Sequence, residues 1–265
     1  MTPIVLCCFG RGGSSMVWNF IGASPSVLMM ANEWHQSALA GLPPVQKAAR
    51  TLYRKGLLSP TGSLLQALQA PFAGMARDRV MAALEDGEAE AKQNAPYVAV
   101  KLMDYHQLFL PMIERGFAQV RPIILIREPL AQCEGLMRSG LDLEAACQWY
   151  VNVVELMSLV RSRFGAPVVR FEDLLADPQC FAADLQNALG IPPRADGGLR
   201  VKEKGYGAER QGNTDMGRGH RWLASAELRG FVDPEVNVKA VARLSPEEAE
   251  TIRRRTGKIA ATFGY

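Results

Sequence analysis

The sequence has few of the residues from which metal sites and disulfide frameworks are built. Its 265 residues include only three histidines and five cysteines. The cysteines are odd in number and contain no C-x-x-C pair, so neither a zinc module nor a disulfide-rich fold is predicted. They are Cys7, Cys8, Cys133, Cys147 and Cys180. We expect a chain that works in a reducing compartment and requires no metal.

Long apolar runs and blocks of like charge are also missing. No continuous apolar run of about 18 residues occurs, so no membrane-spanning helix is predicted. The apolar stretch at residues 4–9 is too short for a signal peptide and is followed at once by glycines. The formal net charge is only +3, and no Lys/Arg block marks a nucleic-acid track. These absences predict a cytoplasmic protein that binds a compact anion and no nucleic acid; they indicate no oligomeric state.

What the sequence does contain is an alternation of short apolar runs and stretches of helical periodicity. Strands are predicted at residues 4–9, 97–102, 121–126 and 167–171. The clearest helices are predicted at residues 14–21, 104–115, 141–164 and 178–189, the last with Asp177 as its N-cap and Pro178 at its first position. This alternation is typical of an α/β fold with a central parallel sheet flanked by helices.

Two regions interrupt the alternation within what we expect to be a single domain over residues 1–265. Residues 36–95 alternate apolar and basic side chains at helical spacing between prolines, which predicts a helical cap inserted into the domain. Residues 192–219 are rich in glycine and charge, which predicts a long basic loop that orders on binding.

A glycine loop follows the first predicted strand. Residues 10–15 read Gly-Arg-Gly-Gly-Ser-Ser and lead directly into an amphipathic helix. Glycines let the backbone approach a ligand closely, and the unpaired N–H groups of a helix N-terminus favour an anion. Arg11 adds a cation and Ser14 and Ser15 add hydroxyl donors. The alternative is a simple glycine turn in which Ser14 caps the helix.

A second candidate anion site lies at the end of the strand at residues 121–126, where Arg127, Glu128 and Pro129 follow. A magnesium-dependent nucleotidase would need a carboxylate at such a strand exit, whereas a guanidinium is suited to phosphate. The alternative is that Arg127 pairs with Glu128, Glu172 or another acid and ties the strand to a helix.

Both segments resemble motifs of the sulfotransferases that use 3′-phosphoadenosine 5′-phosphosulfate (PAPS). Residues 9–15 are similar to the family's 5′-phosphosulfate loop, and residues 127–129 are similar to its 3′-phosphate motif. Residues 169–178, 219–222 and 244–248 match further family landmarks in order and spacing. Two departures are clear, because Gly12 and Gly135 stand where the family has serine. The resemblance runs from residue 4 to the C-terminus, apart from the cap.

The resemblance implies a P-loop-NTPase-like sulfotransferase fold and a set of site residues. Arg11 takes the place of the catalytic cation beside the bridging oxygen. The residues implied to bind the 5′-phosphosulfate are Gly10, Arg11, Gly12, Gly13, Ser14 and Ser15. Those implied to bind the 3′-phosphate are Arg127 and Ser139, with Lys202, Lys204, Arg210 and Arg221 as further clamps. No residue is assigned to a metal.

A hydroxyl acceptor also benefits from a general base. Glu33, about twenty residues after the loop, is the first candidate by its similarity in position to the family's glutamate base. His35 and His106 are the rivals, and His106 follows Lys101 in a segment similar to the K-x-H region of cytosolic relatives.

The implied reaction moves a sulfuryl group from PAPS to a hydroxyl or amine of a small-molecule, carbohydrate or lipid acceptor and releases adenosine 3′,5′-bisphosphate (PAP). The sequence leaves the acceptor open. One alternative is an ATP-dependent kinase of small molecules, which would share the strand, loop and helix. Another is a non-catalytic nucleotide-binding protein of the same fold. The reason to consider it is that Gly12 and Gly135 stand where the family has serine.

Overall fold

The structure is a computed structural model that describes residues 1–31, 33–37, 51, 75–84, 88–202 and 220–265. A parallel sheet forms its centre. The strands are β1 (Thr2–Cys8), β2 (Val27–Met29), β3 (Tyr97–Met103), β4 (Arg121–Ile126) and β5 (Val168–Arg170). All neighbours run parallel in the order β2-β3-β1-β4-β5. The predicted α/β architecture is therefore confirmed.

Helices connect and cover the strands. They are α1 (Ser14–Gly22), α2 (Trp34–Ser37), α3 (Ala76–Ala82), α4 (Glu88–Ala91), α5 (Leu110–Gly116), α6 (Pro129–Met137), α7 (Leu143–Phe164), α8 (Phe171–Ala176), α9 (Pro178–Leu189), α10 (Leu228–Phe231), α11 (Val236–Val241) and α12 (Pro246–Ala260). Short 3₁₀ helices lie at Asp104–Phe109, Ser225–Glu227 and Ala261–Phe263. As predicted, Asp177 caps α9, accepting hydrogen bonds from the backbone N–H groups of Gln179 and Cys180.

The central strand explains why the sheet has helices on both faces. Every residue of β1 from position 3 to position 8 is buried. Because successive side chains of a strand point to opposite faces, a strand buried at every position must be covered on both. The continuous apolar run that marks β1 in the sequence is the signature of this environment.

Two strand assignments correct the sequence analysis. Residues 192–219 were expected to form a loop, but residues 199–202 form β6 (Leu199–Lys202), which pairs antiparallel with β7 (His220–Leu223). Val201 and Leu223 are buried there, so these short strands contribute to the core. Four residues among glycines and charges are too few to display a strand pattern. The three-residue strand β2 was missed for the same reason.

The described part of the predicted cap is helical at α2, α3 and α4, while residues 38–50, 52–74 and 85–87 lie outside the described residues. Likewise, residues 203–219 of the predicted basic loop lie outside them. Among the helices that are described, none is long and apolar enough to cross a membrane.

The register of the sheet sets the position of the site. Cys8 at the end of β1 lies beside Met103 of β3 and Leu125 of β4. The residues that directly follow neighbouring parallel strands lie at the same edge of the sheet. The glycine loop, Asp104 and Arg127 therefore emerge side by side.

Candidate active site

The glycine loop is held by side chains from three neighbouring segments. Asp104 Oδ1 accepts a hydrogen bond from the Gly10 N–H at 3.1 Å. Gln132 Nε2 donates to the Gly10 carbonyl at 2.9 Å, and Arg127 Nη1 donates to the Arg11 carbonyl at 2.9 Å. These bonds fix the inner side of the loop to the exits of β3 and β4 and to α6.

The loop backbone adopts left-handed conformations at Arg11 (φ 64°) and Gly13 (φ 77°). A Cβ at Gly13 would lie 2.0 Å from the ring of Phe171, so only glycine fits there. Gly13 is the N-cap of α1 and Ser14 is its first helical residue, which rules out the alternative of Ser14 as the cap. The backbone N–H groups of the first turn of α1, which have no partner within the helix, therefore lie directly after the loop.

The structure explains why glycine stands at position 12. A Cβ there would lie 3.0 Å from Gln132 Oε1 and 3.2 Å from Phe9 Cβ, closer than such contacts usually come. A serine at this position would therefore require the Gln132 amide or the Phe9 side chain to shift by a few tenths of an ångström. The departure from the family pattern is matched by a neighbouring side chain that sequence reasoning did not identify.

Glu33 and Lys101 form an ion pair beside the first turn of α1. Lys101 Nζ lies 2.7 Å from Glu33 Oε1 and 3.3 Å from Ser15 Oγ, and 5.6 Å from the ring centre of Trp18. The Lys101 side chain is 2% exposed and that of Glu33 is 19% exposed. The structure thus brings the predicted base and the predicted loop together through a buried lysine.

Arg127 is buried at the exit of β4, with 6% of its surface exposed. Besides its bond to the loop, its Nε donates to Asn237 Oδ1 at 2.9 Å, and its guanidinium lies 4.9 Å from the ring centre of Phe171. Burial lowers the pKa of Arg127, and the negative charges of nearby carboxylates offset part of this decrease. In the part of the chain described here, the Arg127 guanidinium forms no ion pair with Glu128, Glu172 or another acid, as the alternative interpretation required.

Gly135 lies in the last turn of α6, and Ser139 follows two residues after the helix ends. Ser139 is exposed, and its hydroxyl donates to the Gly135 carbonyl at 2.9 Å. A Cβ at Gly135 would lie 3.6 Å from Arg11 Cβ, an ordinary contact distance. The exposed Arg11 side chain therefore begins next to the position where the family pattern has its serine.

His106 is buried in the segment that follows β3. Its Nδ1 lies 2.9 Å from the Met103 carbonyl, and its ring centre lies 4.0 Å from that of Tyr105. The side chain of His35, in α2, lies outside the described residues. Over the described ranges, no group of three or more His, Cys, Asp or Glu side chains is placed to hold a metal ion.

The proposed clamp residues are described only in part. In the β6–β7 ladder, Lys202 lies opposite His220 and Arg221 lies opposite Val201, but the side chains of Lys202 and Arg221 are outside the described residues. Lys204 and Arg210 lie wholly outside them.

Asp104 is a site residue that sequence reasoning missed. It is the residue directly after β3, with φ 52°, and it accepts hydrogen bonds from Gly10 N–H and from Trp149 Nε1 at 3.2 Å. Burial raises the pKa of Asp104 to about 6, although both hydrogen bonds act in the opposite direction. The feature of the sequence that could have identified Asp104 is its position directly after β3, a strand that neighbours β1.

We predict that Asp104→Asn changes the pH dependence of stability. Because the folded state holds the proton up to about pH 6 and the unfolded chain only to about 3.8, the wild type loses stability as pH rises through this window. Asparagine keeps the acceptor oxygen and avoids the buried charge. Urea unfolding should show the variant gaining up to about 3 kcal/mol relative to wild type between pH 4 and pH 7. An equal difference at both pH values would contradict this assignment.

Comparisons with known proteins add independent information on the fold. No protein-family model matches the sequence, and no curated protein matches it. The sulfotransferase domain of the Synechococcus PCC 7002 olefin synthase is similar over 100% of this chain and 95% of that domain, with a TM-score of 0.55 and 19% identity. The sulfotransferase domain from the curacin biosynthetic pathway matches over 97% of this chain and 98% of that domain (TM-score 0.49, 17% identity). Sulfotransferase STF9 from Mycobacterium avium matches over 99% and 76%, respectively (TM-score 0.49, 13% identity). On the first of these similarities, together with the parallel sheet and its glycine loop, this chain has the sulfotransferase fold.

Proposed function

We propose that this protein is a sulfotransferase that moves a sulfuryl group from PAPS to a hydroxyl or amine of a small-molecule, carbohydrate or lipid acceptor. The observation that carries the proposal is the arrangement at one edge of the sheet. There the glycine loop is bonded directly to the buried Arg127, while the Lys101–Glu33 ion pair lies beside the helix that the loop begins.

The 5′-phosphosulfate is proposed to bind at the loop and the first turn of α1. The backbone of residues 10–13 offers close approach, and the N–H groups after Gly13 carry the positive end of the helix dipole. Ser14 and Ser15 would add hydroxyl donors, and Lys101 supplies a buried positive charge at Ser15. Arg11 would stabilise the charge that develops on the leaving phosphate oxygen.

The 3′-phosphate is proposed to bind to Arg127. A buried guanidinium without a carboxylate partner is costly, and a bound anion would compensate it. Two of its five N–H donors bond within the described residues, which leaves three for a phosphate. Ser139, Lys202, Lys204, Arg210 and Arg221 remain proposed as further contacts.

Glu33 is proposed as the general base, with His106 and His35 as the alternatives. The acceptor oxygen or nitrogen would form a bond to sulfur while the bond from sulfur to the 5′-phosphate oxygen breaks. Glu33 would take the acceptor proton, and PAP would leave with the bonding electrons. Lys101 supports this role because its ammonium group contacts both the Glu33 carboxylate and the hydroxyl of Ser15, a residue of the proposed phosphosulfate site.

We predict that PAP stabilises the fold more than ATP with magnesium does. The reason is that PAP alone carries a phosphate for Arg127, and ligand binding to the folded state raises the melting temperature. A thermal-shift titration of both nucleotides measures the difference. An equal or larger shift with ATP and magnesium would favour the kinase alternative, and a PAP shift without turnover on any acceptor would favour the non-catalytic one.

We predict that Glu33→Gln lowers the rate of sulfuryl transfer by about 10² to 10⁴ with PAP affinity retained. Glutamine can still accept the Lys101 hydrogen bond, but it cannot accept a proton at neutral pH. Single-turnover kinetics and calorimetric titration with PAP separate the two effects.

Glu114→Gln is the matched control, because Glu114 is also in an ion pair, with Arg163 at 2.6 Å, on α5. It should keep the wild-type rate. A near-normal rate for Glu33→Gln combined with a large loss in His106→Asn or His35→Asn would transfer the role of base to that histidine.

A further inference from the structure

Asn237 of α11 stands between the guanidinium of Arg127 and the carboxylate of Glu172. Its Oδ1 accepts from Arg127 Nε at 2.9 Å, and its Nδ2 donates to Glu172 Oε1 at 2.7 Å. A guanidinium can only donate and a carboxylate can only accept, so the two neighbours fix which way the amide points. The asparagine is therefore a defined spacer between two opposite charges.

The carboxylate of Glu172 has its hydrogen bonds supplied by neutral groups. Its Oε1 also accepts from the Glu128 backbone N–H at 3.0 Å, and its Oε2 accepts from the hydroxyl of Tyr265. With the Asn237 amide, three neutral donors serve one carboxylate. Within the described residues Glu172 thus takes its hydrogen bonds from neutral donors and forms no ion pair with Arg127, although it lies only one side chain away.

Without a spacer, a buried arginine next to a glutamate would be expected to form a bidentate ion pair. Such a pair would neutralise the guanidinium and commit the N–H groups that a ligand needs. The Arg127 guanidinium makes no ion pair in the described part of the chain, and its other described hydrogen bond goes to the Arg11 carbonyl.

We infer that Asn237 is a positioning residue that keeps Arg127 from pairing with Glu172 and so reserves its charge for the 3′-phosphate of the nucleotide. This inference rests on the proposed function. Its consequence is a specificity: Asn237 sets how strongly the protein prefers a nucleotide with a 3′-phosphate to one without it.

The test is the affinity of the full chain for PAP and for adenosine 5′-phosphate, measured by calorimetric titration. In Asn237→Asp a carboxylate replaces the spacer and pairs with Arg127, in competition with the ligand phosphate. PAP should bind at least about tenfold more weakly, while adenosine 5′-phosphate should bind as it does to wild type. Asn237→Ala, which adds no charge, should lower PAP affinity in the same selective way and serves if the aspartate variant does not fold.

Val238→Asp is the matched control. Val238 is the next residue of α11 and is 68% exposed, so the variant adds the same charge to the same helix on the solvent side. It should keep both affinities within about twofold. Thermal unfolding of all variants checks that each is folded.

The outcomes separate this inference from the proposed function. If wild type prefers PAP and Asn237→Asp keeps that preference, the inference is wrong and the proposed function stands. If the variant weakens both nucleotides equally, Asn237 is only a structural link between α11 and α8, which also overturns the inference. If wild type shows no preference for PAP, the proposed function fails and the inference falls with it.

Discussion

The hydrogen bond from Arg127 Nη1 to the Arg11 carbonyl joins the two parts of the molecule on which the rest of the site depends. It ties the glycine loop after β1 to the exit of β4. Phe171 completes this connection, because its ring lies against the Arg127 guanidinium and also occupies the space next to Gly13. The loop that would hold one anion and the cation that would hold another are thus positioned by common contacts.

The two buried cations at this edge of the sheet, Lys101 and Arg127, are in different environments. Lys101 is paired with Glu33, whereas Arg127 is separated from Glu172 by an amide. Arg127 is buried without an ion pair to any of the described residues, and a backbone carbonyl, an amide and an aromatic ring contact its guanidinium instead. Asp104 adds a carboxyl with a raised pKa on the other side of the loop. Each of these groups keeps its position through neighbours on other elements of the fold.

Much of the fold could be predicted from the sequence, because long buried strands and well-capped helices leave local signals. The apolar runs that became β1, β3, β4 and β5 were recognised, and so was the Asp177 cap. The short strands β2, β6 and β7 were not, since three or four residues carry too little periodicity. In the site, the glycines of residues 10–13 indicated the anion-binding loop, and the position directly after a predicted strand indicated Arg127.

The residues that support the loop and Arg127 had almost no sequence signal. Gln132 and Asn237 act through contacts with residues more than a hundred positions away, and nothing in their own neighbourhoods distinguishes them from other helical amides. In the structure Gln132 lies against the glycine at position 12, a departure that the sequence alone left unexplained. Such pairings depend on tertiary packing and become visible only when the chain is folded.

The proposed nucleotide site is tested most directly by a crystal structure of the protein with PAP bound. It predicts the 5′-phosphate at the backbone N–H groups of residues 13–15 and the 3′-phosphate within hydrogen-bond distance of the Arg127 guanidinium. A complex in which the nucleotide occupies this edge but its 3′-phosphate lies away from Arg127, or in which PAP binds elsewhere, would contradict it.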